Sequence, residues 1–247
     1  MNLPNPNVSV VLAAYNEEDN ICAAIDSIIS QTYRSWELIL VDDSSSDSTL
    51  ELMNLYKKYD NITILSNTEN CGLAKSLNYG ISKSSGIYIA RMDADDLSFP
   101  ERLFLQMAFM DSNKDVDVLG GGASYIGNHK RTVTMPTTHV AIRQHMAKSS
   151  PFIHPSVIYK RSFIERLGGY CENSLRAEDY DLWYRGLDSS KYHNLDQPLL
   201  EYKEVHKKII RSTLDCAKVR FKYNPSKSSA IFWSAVQLIY LIKNRYL

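Results

Sequence analysis

The chain has 247 residues, 44% apolar, 11% aromatic and 23% charged, and its 28 Lys/Arg balance 28 Asp/Glu. That is enough for one large α/β domain with its own core, and the composition excludes a disordered or fibrous chain. Cys22, Cys71, Cys171 and Cys216 show no C-x-x-C spacing, and Met1-Asn2-Leu3-Pro4-Asn5-Pro6 has neither a basic nor an apolar leader pattern, so the expectation is a reducing compartment, no secretion signal and no cysteine-based zinc site.

Val8-Ser9-Val10-Val11-Leu12-Ala13 reads as a strand, and residues 17–31 place Ile21, Ile25, Ile28 and Ile29 on one helical face. A second strand over 36–41 runs into Asp42-Asp43-Ser44-Ser45-Ser46-Asp47. There a Ser or Asp can cap a helix whose Leu52, Leu55, Tyr56 and Tyr59 share a face. Ile62-Thr63-Ile64-Leu65 is a third strand. Asn70-Cys71-Gly72 then precedes a helix through Leu73, Leu77 and Ile81, and Gly86 separates that helix from a fourth strand over 87–92. Strands alternating with helices in this way predict a parallel, doubly wound sheet, whose ligands sit beyond the carboxyl ends of the strands. The loops that matter are therefore 14–17, 42–44, 67–72 and 93–96. None carries GxGxxG or GxxxxGK[ST], so neither a hydride-transfer dinucleotide fold nor a P-loop kinase is signalled.

The fourth strand ends in Arg91-Met92-Asp93-Ala94-Asp95-Asp96. Carboxylates spaced Asp-x-Asp at a strand tip can converge on one hard cation, which can in turn hold a diphosphate. An acidic turn capping the next helix is the alternative. A helix after Pro100 to about Ser112 is expected, then a strand at Val116-Asp117-Val118-Leu119, a corner at Gly120-Gly121-Gly122 and an antiparallel excursion to Pro136. Residues 149–159 read as a loop entering a strand, followed by a helix over 161–167 stopped by Gly168-Gly169. A second acidic cluster lies in Arg176-Ala177-Glu178-Asp179-Tyr180-Asp181-Leu182-Trp183, where a helix begins at Glu178 or Asp179 and buries Leu182, Trp183 and Leu187. Attraction of these carboxylates to the free N–H groups of a helix start is an equally good account of them.

Together these pieces, with Gln31-Thr32-Tyr33, Asn78, Pro100-Glu101-Arg102 and His154-Pro155-Ser156, resemble the family 2 glycosyltransferases over roughly residues 8–206. Those are inverting enzymes of the GT-A fold that use nucleotide-activated sugars, and the likeness is greatest to bacterial enzymes of O-antigen, capsule and exopolysaccharide synthesis. The resemblance implies an α/β mixed sheet flanked by helices, with a catalytic domain over 1–205. Its nucleotide-sugar half runs to about residue 97 and its acceptor half over 98–205, and a helical extension covers 206–247. It implies that Asp95, with Asp93, binds Mn²⁺ or Mg²⁺ bridging the donor's phosphates. Asp43, with Asp42, would accept a hydrogen bond from the base, most simply the N3–H of uracil. Ala13, Tyr15, Glu17, Asn70 and Leu73 would line the nucleotide pocket, and Lys75 or Arg91 would pair with phosphate.

By the same resemblance Asp179 is the general base that takes the acceptor hydroxyl's proton. Glu178 would raise its pKa or orient the acceptor. Asp96 would be a supporting or helix-capping residue, and His154 either a packed loop histidine or a residue of the acceptor side. His206, in Tyr202-Lys203-Glu204-Val205-His206, matches a Tyr-Arg-x-His segment whose histidine reaches the metal or diphosphate, although Lys203 stands where the family has Arg.

From Lys203 onward ten Lys/Arg face only Glu204 and Asp215, so the tail carries +8 and the body −8. With the basic residues confined there and no base-reading motif, nucleic acid is not an expected partner. Residues 230–242 are apolar but short and interrupted by Ser234 and Gln237, which suits a helix lying at a membrane surface rather than crossing it. Packing on the catalytic domain or in a homodimer is the alternative. The expected enzyme is metal-dependent and works at the cytoplasmic face of a bacterial inner membrane, with a UDP-sugar donor and a glycan acceptor on polyprenyl diphosphate. A polyprenyl-phosphate glycosyltransferase of the same fold and a non-catalytic sugar-nucleotide-binding subunit are the competing readings.

Overall fold

The computed structural model describes residues 6–126, 131–174, 176–203, 209–223 and 226–245. The first half follows the alternation of the sequence: β1 (Val8–Ala14), α1 (Ile21–Ile29), β2 (Trp36–Asp42), α2 (Thr49–Asn54), β3 (Ile62–Ser66), α3 (Leu73–Lys83) and β4 (Tyr88–Asp93). These strands are parallel in the order β3-β2-β1-β4. Side chains alternate across the sheet, as period two requires. Val10, Leu12, Leu38, Leu40, Ala90 and Met92 enter the core under α1 and α2, whereas Val11, Ala13, Ile39, Val41 and Ile89 enter the core under α3. Gly80 lets α3 lie close against the sheet, because a Cβ there would stand 2.7 Å from Val11 Cγ1.

Beyond β4 the sheet becomes mixed. The following elements are β5 (Leu97–Ser98), α4 (Arg102–Ser112), β6 (Val118–Ile126), β7 (Arg131–Val133), α5 (His139–Met146), a 3-10 turn (His154–Ser156), β8 (Ile158–Lys160), α6 (Arg161–Arg166), α7 (Glu178–Gly186) and β9 (Tyr192–Lys203). β8 joins β4 antiparallel, β6 follows antiparallel to β8, and β9 runs parallel to β6 with β5 antiparallel on its far side. The chain ends in α8 (Ile209–Tyr223) and α9 (Lys227–Arg245). Neither is long and apolar enough to cross a membrane, and the same holds for every described helix.

Two local expectations change, and one strand has no expectation. Gly120, Gly121 and Gly122 form no corner but run through β6, where added Cβ atoms would meet Asn194 Oδ1, Leu199 Cδ1 and the Val133 carbonyl at 2.3–2.5 Å. The helix after β2 stops at Asn54, and Leu55 is exposed rather than sharing a buried face. β9 carries no alternation in its sequence because it bulges against β6 around Pro198.

Candidate active site

Arg91 and Asp93 are two residues apart on β4, so they project from the same face, and they form an ion pair with the guanidinium almost wholly buried. Burial opposes the charge on Arg91, but Asp93 outweighs it and leaves the guanidinium above its ordinary pKa. Asp93, Asp95 and Asp96 each bring a carboxylate oxygen to within 4.8 Å of the others. Burial, with Asp93 next, pushes Asp95 up to about 6 and Asp96 further up still. Glu17 adds to the repulsion at Asp95. Asp96 accepts from the backbone N–H of Lys203 at 3.0 Å, tying β9 to this corner, while its buried Oδ2 has no hydrogen-bond partner among the described residues. Three all-oxygen donors that repel one another, one of them orphaned, suit a hard divalent cation, which would hold all of them ionised.

The other predicted donor-side residues surround this strand end. β-ladder register sets Ala13 beside Asp93 and Ala14 beside Asp42. Asp43 is buried, and its two oxygens accept from Asn67 Nδ2 (2.7 Å), Cys71 N (2.9 Å) and Gly72 N (2.8 Å). That fixes the 67–72 loop and the start of α3, and Gly72 takes φ 85°, open to glycine at no steric cost. Asp42 accepts weakly from Ser45 N (3.3 Å) and Ser66 Oγ (3.4 Å). The serine-rich run is a clasp. Ser45 and Ser46 bond Asn16, Thr49 bonds the Glu17 N–H at 2.8 Å, and Asp47 accepts from Glu18 N, which fixes the loop carrying Tyr15 and Glu17. Tyr15, Asn70 and Lys75 are exposed there.

Leu73, Arg91, Asp93, Glu178 and Asp179 line one open cavity of about 420 Å³. Tyr125, Met135, Ser150, Phe152, Ile153, His154, Pro155 and Tyr202 complete its wall. Asp93 of the first acidic cluster and Glu178 and Asp179 of the second, more than eighty residues apart in sequence, thus face one space, whose lining does not include Asp95 or Asp96. Asp179, in the first turn of α7, accepts from Ser150 Oγ at 3.1 Å. Burial raises its pKa against the opposing Tyr180 N–H, Ser150 and Arg91. Burial and then Asp179 push Glu178 up to about 7. His154 shares a hydrogen bond with Tyr170 (2.9 Å), which meets Tyr159 at 3.2 Å, and burial with Arg91 holds the imidazole well below its usual pKa. Arg102 is buried beneath the site, with Nη2 donating to the Arg91 carbonyl at 2.8 Å and pKa lowered by burial to about 9. His206 lies outside the described residues.

Sequence reasoning missed Ser150, Tyr125 and Tyr202 as site residues. Ser150 and Tyr202 sit in segments that the pattern did single out, but nothing local marks Tyr125, which enters through β6. A larger hollow of about 630 Å³, lined by Arg34, Trp36 and Asp60 among others, opens at the amino ends of β1 and β2 and is remote from both acidic clusters.

Residues 9–168 match the family described as Glycosyl transferase family 2. The chain belongs to this family. It is 38% identical over 204 residues to the putative glycosyltransferase EpsE of Bacillus subtilis (strain 168), covering 81% of this chain and 73% of that one. It is 32% identical to the O-antigen biosynthesis glycosyltransferase WbnJ of Escherichia coli, covering 85% of each. Among solved structures, S. aureus TarS 1-349 in complex with UDP-GlcNAc superposes with a TM-score of 0.72 at 20% identity, covering 94% of this chain and 71% of that one. The mannosyltransferase PcManGT from Pyrobaculum calidifontis, in complex with GDP-Man and Mn2+, gives 0.68 at 19% identity, covering 97% and 76%. These likenesses establish the GT-A fold, a mixed sheet flanked by helices with a helical C-terminal region.

Proposed function

We propose that this family 2 glycosyltransferase moves a hexose or N-acetylhexosamine, with inversion, from a UDP-sugar to a hydroxyl of a polyprenyl-diphosphate-linked glycan in bacterial surface polysaccharide synthesis. The observation that carries the reading is the single cavity bounded by Arg91 and Asp93 on one side and Glu178 and Asp179 on the other. The names of EpsE, WbnJ and PcManGT support the reaction class, and the UDP-GlcNAc bound to TarS and the GDP-Man bound to PcManGT support a nucleotide-sugar donor.

In this reading Asp43 and Asp42 receive the base, and Ala13, Tyr15, Glu17, Asn70 and Leu73 surround the nucleoside. Lys75 and Arg91 face phosphate. Asp93 and Asp95, with Asp96 supporting them, hold Mn²⁺ or Mg²⁺, and His206 is a further ligand. The cation, when bound, supplies positive charge against that building on the leaving diphosphate. Asp179 accepts the proton of the acceptor hydroxyl while that oxygen attacks the anomeric carbon from the side opposite the leaving group. Its pKa, raised by burial, makes it a better base than an ordinary aspartate, and Glu178 beside it orients the acceptor.

The tail's outward residues Leu214, Phe221, Ile231, Phe232 and Ile239 are exposed apolar groups on a basic segment. They suit contact with the anionic surface of the membrane that carries the acceptor, at the cytoplasmic face.

The testing experiment is a panel of nucleotide sugars assayed for Mn²⁺-dependent release of the nucleoside diphosphate, since slow donor hydrolysis needs no knowledge of the acceptor. One UDP-sugar should be turned over and chelator should stop it. Undiminished donor binding in excess chelator, read by calorimetry, would overturn the metal assignment.

A further inference from the structure

The C-terminal helices do more in this structure than present an apolar face. Val219 and Ala230 are buried, and Tyr223 stacks on Tyr184 of α7 with ring centres 5.7 Å apart. α8 grips the start of α7 at two points. Asp215 accepts from Arg176 Nε at 3.0 Å, where Arg176 stands at φ 60° just before the helix. The Tyr223 hydroxyl (2.8 Å) and Lys222 Nζ (3.3 Å) reach the fully buried Asp181, which also accepts from Arg185 at 2.6 Å.

α9 reaches a different segment, residues 146–150. Gln237 Nε2 donates to the Lys148 carbonyl at 2.9 Å, its Oε1 accepts from the buried Arg220 of α8 at 2.5 Å, and Lys148 Nζ lies 4.9 Å from the centre of the Trp233 ring. From the other side the Met146 carbonyl accepts from both Tyr180 and Tyr184 of α7. Two residues past Lys148 stands Ser150, whose hydroxyl bonds Asp179.

We propose that α8 and α9 brace the catalytic base: α8 fixes the start of α7, and Gln237 of α9, through residues 146–150, sets the Ser150 hydroxyl against the Asp179 carboxylate. This rests on Asp179 being the general base. Gln237, Tyr223 and Ser150 are then positioning residues, and a contact made by the tail is felt at the proton-accepting atom. The charged and titratable groups facing that atom are Glu178 on its own helix, Arg91 from β4, and the hydroxyl of Tyr170. None of these groups is replaced in Ser150→Ala or Gln237→Glu, which act on Asp179 through the Ser150 bond.

The test uses the full chain and Mn²⁺-dependent UDP release from whichever UDP-sugar the panel identifies. Gln237→Glu is nearly isosteric and gives Arg220, whose Nε and Nη1 have no hydrogen-bond partner among the described residues, a carboxylate, while removing the donor to Lys148. Ser150→Ala removes the bond itself. We expect kcat to fall about tenfold in Ser150→Ala and about threefold in Gln237→Glu, with donor KM unchanged, and the acidic limb of kcat to move to higher pH in both because a bond favouring ionised Asp179 is lost or weakened. The double variant should be no worse than Ser150→Ala, since both act through one bond. Wild-type kcat and pH profile in Gln237→Glu, or additive losses in the double variant, would overturn the brace. Should melting show Gln237→Glu to be unfolded, Tyr223→Phe asks the same question through α8, and an unmoved acidic limb there overturns it equally. Asp179→Asn separates the two readings. If it is inactive while the positioning variants behave as wild type, the base stands and the brace falls, and if it turns over fully, the base assignment has failed and the brace with it.

Discussion

On the proposed donor side, Asp42, Asp43 and Asp93 stand at the ends of neighbouring parallel strands, and the ladders of β1, β2 and β4 set their spacing. On the proposed acceptor side, Glu178 and Asp179 stand at the start of a nine-residue helix whose position depends on contacts from 146–150, 170–176 and α8. Backbone pairing among buried strands leaves little freedom, whereas single side-chain bonds each contribute only about 0.5–1.5 kcal/mol net. The strand end carrying Asp42, Asp43 and Asp93 is therefore the preorganised part, and the helix start carrying Glu178 and Asp179 is the part that substitutions, binding and the tail can shift.

The largest expected effects separate the two ends cleanly. Asp179→Asn should lower turnover by roughly 10²–10⁴-fold while leaving donor binding near wild type, since it removes a proton acceptor and little else. Asp95→Ala should do the reverse, abolishing the Mn²⁺-dependent part of donor binding in calorimetry. Loss of donor binding in the first or its retention in the second would show that the cavity is not divided in this way.

A smaller effect is expected at Asp43. Asp43→Ala leaves the N–H groups of Cys71 and Gly72 and the amide of Asn67 without their acceptor. A buried donor without a partner costs about 1–3 kcal/mol, and because these donors are partly buried, thermal denaturation should show a loss toward the lower end of that range even without nucleotide sugar. Wild-type melting would mean that the 67–72 loop is held by something other than this carboxylate.

The same contrast decides what can be read from sequence. β1 to β4 are legible because Val8 to Ala13 and Trp36 to Val41 are apolar runs punctuated by turn residues, and their carboxylates follow within a few positions. The helix start at Glu178 is legible for a similar local reason. That Glu178 and Asp179 share a space with Arg91 is not, because it depends on β8 pairing with β4 and on long-range bonds such as Asn78 Nδ2 to the Tyr170 carbonyl at 2.9 Å. β9 escaped for its bulge and its Pro198, and Ser150 because a serine in a loop has no pattern of its own.

The mildest test concerns pH and asks whether the acceptor end bears the cost of its buried charge. Glu178 is pushed from an ordinary 4.5 up to about 7, by burial first and Asp179 second. Between those values the folded chain holds a proton that the unfolded chain has released. Stability changes with pH as the unfolded proton count minus the folded one, which is negative here, so this group makes the fold less stable as pH rises through the window, and the cost is complete above about 7. Glu178→Gln removes the titration while keeping the shape. Its melting temperature should therefore decline less than that of wild type between about pH 5 and about pH 8, with the curves closest at the acidic end. Parallel curves would mean that Glu178 ionises without penalty. In that case water or a cationic group reaches this side of the cavity, and the elevated basicity assigned to its neighbour Asp179 would lose its physical cause.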